Sequence, residues 1–257
     1  MASFAKQSLS VGGIQTSVLS AGQGEPVVFF HGAGTFTGFD FLLPLAERFK
    51  LYVPLHPGFG ESADDPAIDG VMDYVLHYIE LFDQLGLERD VRLMGHSLGG
   101  WLAAKFATQQ GHRISRLVLV SPAGLRVPAH PTADLFTIRP EDLPSLLVAN
   151  PAVLAKFFQG KPDPEVIVGR YRETTSLARV LWERNYDPKL ERWLARAKMP
   201  TLVIWGDKDR LIPVEQADEW LKRLPNAKKA VVPGAGHLVL LETPDGVARA
   251  KSFLNGG

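Results

Sequence analysis

The chain is 257 residues long, carries 28 basic and 28 acidic side chains, and contains no cysteine. That length suits one α/β domain with an insertion and can bury a substantial core. Zero net charge argues against nucleic acid or an anionic membrane as partner, and the lack of cysteine removes disulfides, thiolate nucleophiles and cysteine metal sites together.

Met1 to Lys6 lacks the long apolar stretch of a secretory signal, and no apolar run approaches a membrane span, so a cytoplasmic location is expected. Ser8 to Ala21 reads as a hairpin turning at Gly12-Gly13. Pro26–Phe30 is wholly apolar, as suits a strand covered on both faces of a parallel sheet. Phe39 to Phe49 reads as helical, Leu51–Leu55 as a strand, and Pro57–Gly60 as a loop. Val71, Val75, Tyr78, Phe82 and Leu85 recur at helical spacing, with Asp69 as N-cap and Gly86 as stop. Asp90–Met94 predicts a strand, followed by a helix to about Gln110. Further strands are expected at Leu117–Val120, Thr201–Trp205 and Ala230–Val232, before a helix from Pro244 to Phe253. This alternation predicts an α/β fold, a mostly parallel sheet flanked by helices. The rhythm breaks over 123–197, a Pro-rich, helix-forming stretch that reads as a helical insertion between core segments 1–122 and 198–257.

Gly95-His96-Ser97-Leu98-Gly99 falls where a strand passes into a helix. In a Gly-x-Ser-x-Gly elbow a strained turn lifts the serine hydroxyl above the sheet, and the flanking glycines let strand and helix approach. A serine nucleophile needs a base, usually histidine, which in turn needs a carboxylate to hold its tautomer. His237 is the best placed of the seven histidines, in a glycine-rich loop after the last expected strand. Asp207 and Asp209 compete to orient it, the other serving as a turn-former. Oxyanion donors are expected from the Leu98 N–H and from the loop His31–Gly34, through Ala33 with Gly34 as the alternative.

Together these segments resemble the α/β-hydrolase fold superfamily, and within it the small capped serine hydrolases. The match runs through His31-Gly32-Ala33-Gly34, Pro57-Gly58-Phe59-Gly60-Glu61-Ser62, the elbow, Trp205-Gly206-Asp207-Lys208-Asp209 and Gly236-His237. The resemblance implies that Asp209 is the acid and that 123–197 is a cap over Ser97. Ser97 stands where haloalkane dehalogenases and epoxide hydrolases carry aspartate. His56 stands where many members have aspartate and reads as structural. Leu238 replaces the aromatic residue of many carbon–carbon bond hydrolases.

An apolar pocket is expected from Phe36, Phe39, Trp101, Phe136, Leu146, Phe157 and Leu238, with Phe158 beside them. His96 is expected to pack away from the site, and His77, His112 and His130 to lie on the surface or in loops. Glu242 is expected to support the last loop or to cap the following helix, and Arg126, Arg139, Arg170 and Arg172 to be solvated unless one holds a substrate carboxylate. These features point to an esterase acting on a small, largely apolar molecule, without metal or cofactor. The same machinery serves a C–C hydrolase of ring-fission diketones, a lactonase or a perhydrolase, and a ligand-binding receptor can retain it without turnover. Oligomeric state is left open.

Overall fold

The computed structural model describes residues 3–155, 157 and 163–257. Eight strands form one sheet: β1 (Ala5–Val11), β2 (Ile14–Ala21), β3 (Pro26–Phe30), β4 (Lys50–Pro54), β5 (Val91–His96), β6 (Ile114–Val120), β7 (Thr201–Gly206) and β8 (Ala227–Val232). Their spatial order is β1-β2-β4-β3-β5-β6-β7-β8. β1 and β2 are antiparallel neighbours, β2 joins β4 antiparallel, and every later pairing is parallel.

Period-two alternation in the central strands builds two cores. Val28 and Phe30 of β3, Leu93 of β5, Leu117 and Leu119 of β6, and Val203 and Trp205 of β7 pack on one face. That face is covered by α1 (Val71–Gln84) and α2 (Leu98–Gln109). Val27, Phe29, Met94, Val118, Val120, Leu202 and Ile204 pack on the other. Each such side chain contributes about 1.5–3 kcal/mol through burial.

Helices α3 (Leu143–Leu147), α4 (Ala152–Ala155), α5 (Pro164–Leu181) and α6 (Leu190–Leu194) lie between β6 and β7. The two ends of this stretch meet: Gly124 bridges Tyr186, and the buried Lys105 of α2 pairs with Asp187 at 2.6 Å. After β7 come α7 (Gln216–Arg223), α8 (Val239–Glu242) and α9 (Pro244–Leu254).

Two local expectations need correction. The Asp40–Glu47 segment is a 3₁₀ helix, with Pro44 inside it unable to donate to an α-helical ladder. Helix α1 is capped by Gly70, not Asp69, because Asp73 reaches back to accept from the Gly70 N–H at 2.8 Å and the Asp69 N–H at 3.2 Å.

The turn from β5 into α2 is the tightest approach. Ser97 sits at φ 54° and ψ −117°. A Cβ added to Gly99 would lie 2.0 Å from the Phe30 carbonyl oxygen, and one on Gly95 2.2 Å from the Gly99 oxygen. Gly99→Ala is therefore expected to cost about 3 kcal/mol or more, since main chain must move to admit the methyl group. Urea denaturation checks this; a midpoint equal to that of the parent chain would contradict it.

Candidate active site

Three loops at the C-terminal ends of parallel strands converge on one cavity of about 200 Å³, whose walls include Ser97, His237, Ala33 and Gly34. Ser97 follows β5, and its backbone is pinned on both sides. Its N–H donates to the Val120 carbonyl at 2.9 Å, and its carbonyl accepts from Trp101 at 3.1 Å and Ala123 at 3.0 Å. The early loop follows β3 and passes close to the elbow: a Cβ built on Gly32 would lie 3.4 Å from that of Ser97. The Ala33 and Leu98 N–H groups meet no acceptor among the described residues.

His237 follows β8 and is buried. Its Nδ1 lies 2.9 Å from Asp209 Oδ2, and Asp209 Oδ1 accepts from the Leu211 and Ile212 N–H groups at 3.0 and 2.8 Å. Both aspartate oxygens are thus engaged, which holds the carboxylate against the imidazole edge. Asp207 faces the other way and accepts from the Gly234 N–H at 2.6 Å, a brace for the histidine loop. Glu242 completes the support: its oxygens accept from Gly236 at 2.7 Å and from Ala149 at 2.9 Å.

Phe36, Phe39, Phe136 and Leu238 line the cavity. Three residues expected there stand elsewhere. Trp101 is buried against Gly124, where a Cβ would lie 2.6 Å from the indole. Leu146 is not part of the wall, which Leu143 and Leu147 of the same short helix supply. Phe157 stands behind the wall, edge-on to Phe36 at 6.2 Å. Phe158 lies outside the described residues. The sequence reading missed Phe29, Phe41, Leu135, Thr174 and Leu177. Phe29 was accessible to it in principle, since the residue on the sheet face opposite Phe30 ends at the mouth of β3.

The histidines divide by burial. His96 packs and bonds as expected, donating from Nε2 to the His237 carbonyl at 2.9 Å, yet it also faces the cavity. His56 is wholly buried outside the cavity wall; it donates from Nε2 to the His31 carbonyl at 2.8 Å and accepts from the Tyr78 hydroxyl on Nδ1. His31 donates from Nδ1 to the Gly32 carbonyl at 2.7 Å and accepts from the His56 N–H at 3.0 Å. His77 is buried against Thr16 at 3.1 Å, not on the surface, because Thr16 of the hairpin packs over that face of α1. Burial holds these imidazoles neutral: His31 and His77 are pushed down to about 4, His96 to about 3, and His56 well below its ordinary value.

Among the described residues, no arginine, lysine, aspartate or glutamate lines the cavity. Arg170 stacks over the Phe36 ring at 5.2 Å, Arg126 over Tyr186 at 5.4 Å, Arg139 pairs with Asp142 at 2.7 Å, and Arg172 donates to the Gly60 carbonyl. Among the described residues there is no group of three or more side chains suited to hold a metal ion, and no helix is long and apolar enough to cross a membrane.

A family model described as "Alpha/beta hydrolase family" matches residues 27–250. The chain belongs to the alpha/beta hydrolase family. Among relatives of this family, it is 28% identical to a 2-hydroxy-6-oxo-6-(2'-aminophenyl)hexa-2,4-dienoic acid hydrolase of Metapseudomonas resinovorans, covering 98% of this chain and 91% of that one. It is 27% identical to Lipase 1 of Psychrobacter immobilis, over 88% of this chain and 75% of the relative. The solved structure of a 2-hydroxy-6-oxo-6-phenylhexa-2,4-dienoate hydrolase from Rhodococcus sp. strain RHA1 superposes with a TM-score of 0.80 at 22% identity, covering 100% of both chains. This alpha/beta hydrolase therefore shares its fold with a dienoate hydrolase and is similar in sequence to both a dienoic acid hydrolase and a lipase.

The neutral histidines set a pH dependence. His31, with a folded value near 4 and an ordinary value of 6.5, protonates first in the unfolded chain, as do His77 and His96. Their contribution is complete above pH 6.5 and is lost as pH falls toward 4, at up to about 1.4 kcal/mol per pH unit for each. Urea midpoints should hold steady above pH 7 and decline between pH 6.5 and 5, and His77→Gln should flatten that decline. A midpoint independent of pH in this window would contradict neutral burial.

Proposed function

We propose that this alpha/beta hydrolase cleaves a carboxylic ester with a small, uncharged, largely apolar acyl group, through an acyl-enzyme on Ser97. In this reading Ser97 Oγ attacks the acyl carbonyl while His237 Nε2 takes the hydroxyl proton. Asp209 keeps the Nδ1 proton in place and stabilises the imidazolium. The Ala33 and Leu98 amides receive the oxyanion. His237 then protonates the departing alcohol, and a water deprotonated by the same histidine releases the acid. The 123–197 segment serves as the cap, and the partner is a small molecule, with no nucleic acid or membrane.

One observation supports the ester over the C–C reading: among the described residues, no arginine, lysine, aspartate or glutamate lines the cavity. The relatives named as dienoic acid or dienoate hydrolases take, by those names, a substrate that carries a carboxylate. Placing that charge in this cavity without a cation would cost several kcal/mol. The second reading, C–C hydrolysis, draws its support from those relatives, at 28% and 29% identity.

The test is a panel of nitrophenyl esters against a ring-fission dienoate. Ester turnover with a kcat/KM at least tenfold above that for the dienoate is expected; the opposite ranking would replace this reading with the second. Ser97→Ala should lower ester kcat by about 10³-fold or more with thermal melting unchanged. Asp209→Asn should lower it far more than Asp207→Asn. Equal losses at the two aspartates would contradict the assigned roles.

A further inference from the structure

Helix α5 carries an anomaly. Leu177 and Leu181 continue a buried stripe at four-residue spacing, and the same stripe reaches position 173, where the residue is glutamate. Glu173 is only 7% exposed. A carboxylate at a core position is costly unless its oxygens are satisfied. Here three donors meet it: the Thr35 N–H at 3.2 Å, the Thr35 hydroxyl, and the Gly60 N–H at 2.9 Å.

These donors belong to two loops that follow β3 and β4. Thr35 stands two residues after Ala33, and its neighbours Gly34 and Phe36 line the cavity. A Cβ on Gly34 would lie 3.7 Å from Glu173 Oε2, so the carboxylate reaches the loop directly behind the cavity wall. Glycines at 32 and 34 leave this loop few side-chain anchors of its own. A bond to the Thr35 N–H fixes the Gly34–Thr35 peptide plane, two peptide units after the one that carries the Ala33 N–H, and so narrows the directions open to that amide.

Docking of the helix does not require this arrangement. Ser176 and Arg179 of α5 bond to Asp64, and Arg172 bonds to the Gly60 carbonyl. Those contacts hold α5 to the loop after β4 without touching Thr35. Glu173 hydrogen-bonds from α5 to the loop holding Ala33, and Arg170 of the same helix stacks over Phe36 of that loop.

We propose that Glu173 is a positioning residue, which sets the Ala33 amide for the oxyanion by holding Thr35 and Gly60 together from α5. It rests on the reading of Ser97, Ala33 and Leu98 given above. Thr174 and Leu177 of the same helix face the cavity, so one helix both contacts the substrate and holds the loop that polarises it.

The experiment compares wild type with Glu173→Leu, which completes the apolar stripe, Glu173→Gln, and Thr35→Val, which removes one donor from the opposite side. Readouts are kcat and KM on 4-nitrophenyl butyrate, thermal melting, and inhibition by an alkylboronic acid, whose tetrahedral adduct on serine needs the same amides. Both Glu173 variants should lose about tenfold or more in kcat, with KM changed less than about threefold. Boronate affinity should weaken in parallel, and Glu173→Gln, which keeps an acceptor oxygen for Thr35 and Gly60, should melt closer to wild type than Glu173→Leu. Thr35→Val should lose kcat in the same direction but less. A lowered melting temperature with kcat and boronate affinity unchanged would overturn the proposal in favour of a purely structural carboxylate. So would a rise in KM alone. Wild-type protein without ester turnover would instead sink the functional reading itself, a result separable from either.

Discussion

Everything at the centre of this molecule depends on how closely β3, β5 and α2 approach around Ser97. The serine adopts a φ of 54°, a region costly for a residue with a side chain, on the order of 1–3 kcal/mol. Main-chain bonds to Val120, Trp101 and Ala123 hold it there, and the two glycines either side leave no space for it to relax. That strain lifts the hydroxyl off the sheet and starts α2 at Leu98, so one turn presents a serine hydroxyl beside a main-chain amide that meets no acceptor among the described residues. The sheet on either side is conventional, with alternating apolar faces that bury two cores and make the turn rigid.

Around the turn, three buried or half-buried carboxylates are each answered by main-chain donors, while the Trp101 indole nitrogen and the Ser121 hydroxyl find no partner among the described residues. Asp209 accepts two backbone N–H groups besides the imidazole, Glu242 joins Gly236 to Ala149, and Glu173 gathers Thr35 and Gly60. The His31–His56–Tyr78 chain is a neutral network in which every ring nitrogen has a partner that settles its tautomer. These networks cost more when half satisfied than when absent, which makes them specific to one arrangement of the loops.

Much of this was readable from the chain. Pro26–Phe30 and Leu117–Val120 announce buried strands because they are apolar without interruption, and Gly95–Gly99 announces the elbow because strand and helix formers flank it. Positions set by long-range packing were not readable. Trp101 is one helical turn from Ser97, which suggests the pocket, but Gly124 on a distant segment offers a bare backbone on which the indole rests. Helix α7 was missed because only Gln216, Ala217 and Trp220 of its eight residues are buried, too short a stripe to show a period. Glu173 escaped notice because its partners at 35 and 60 are more than a hundred residues away, and a glutamate in a helix looks like any solvated one.

The fastenings of the segment between β6 and β7 bear on its interchangeability. Ala149 is held by Glu242, Leu147 by the Leu238 amide, Glu173 by Thr35 and Gly60, Arg179 by Asp64, and Asp187 by Lys105. Each pair has one member in the sheet-bearing body and one in the excursion. A foreign excursion spliced between the same two strands would arrive without its counterparts and leave buried amides and a lysine unanswered. Replacing the excursion therefore calls for matching changes across the seam, at Glu242, Asp64, Lys105 and the loops that hold Thr35 and Gly60.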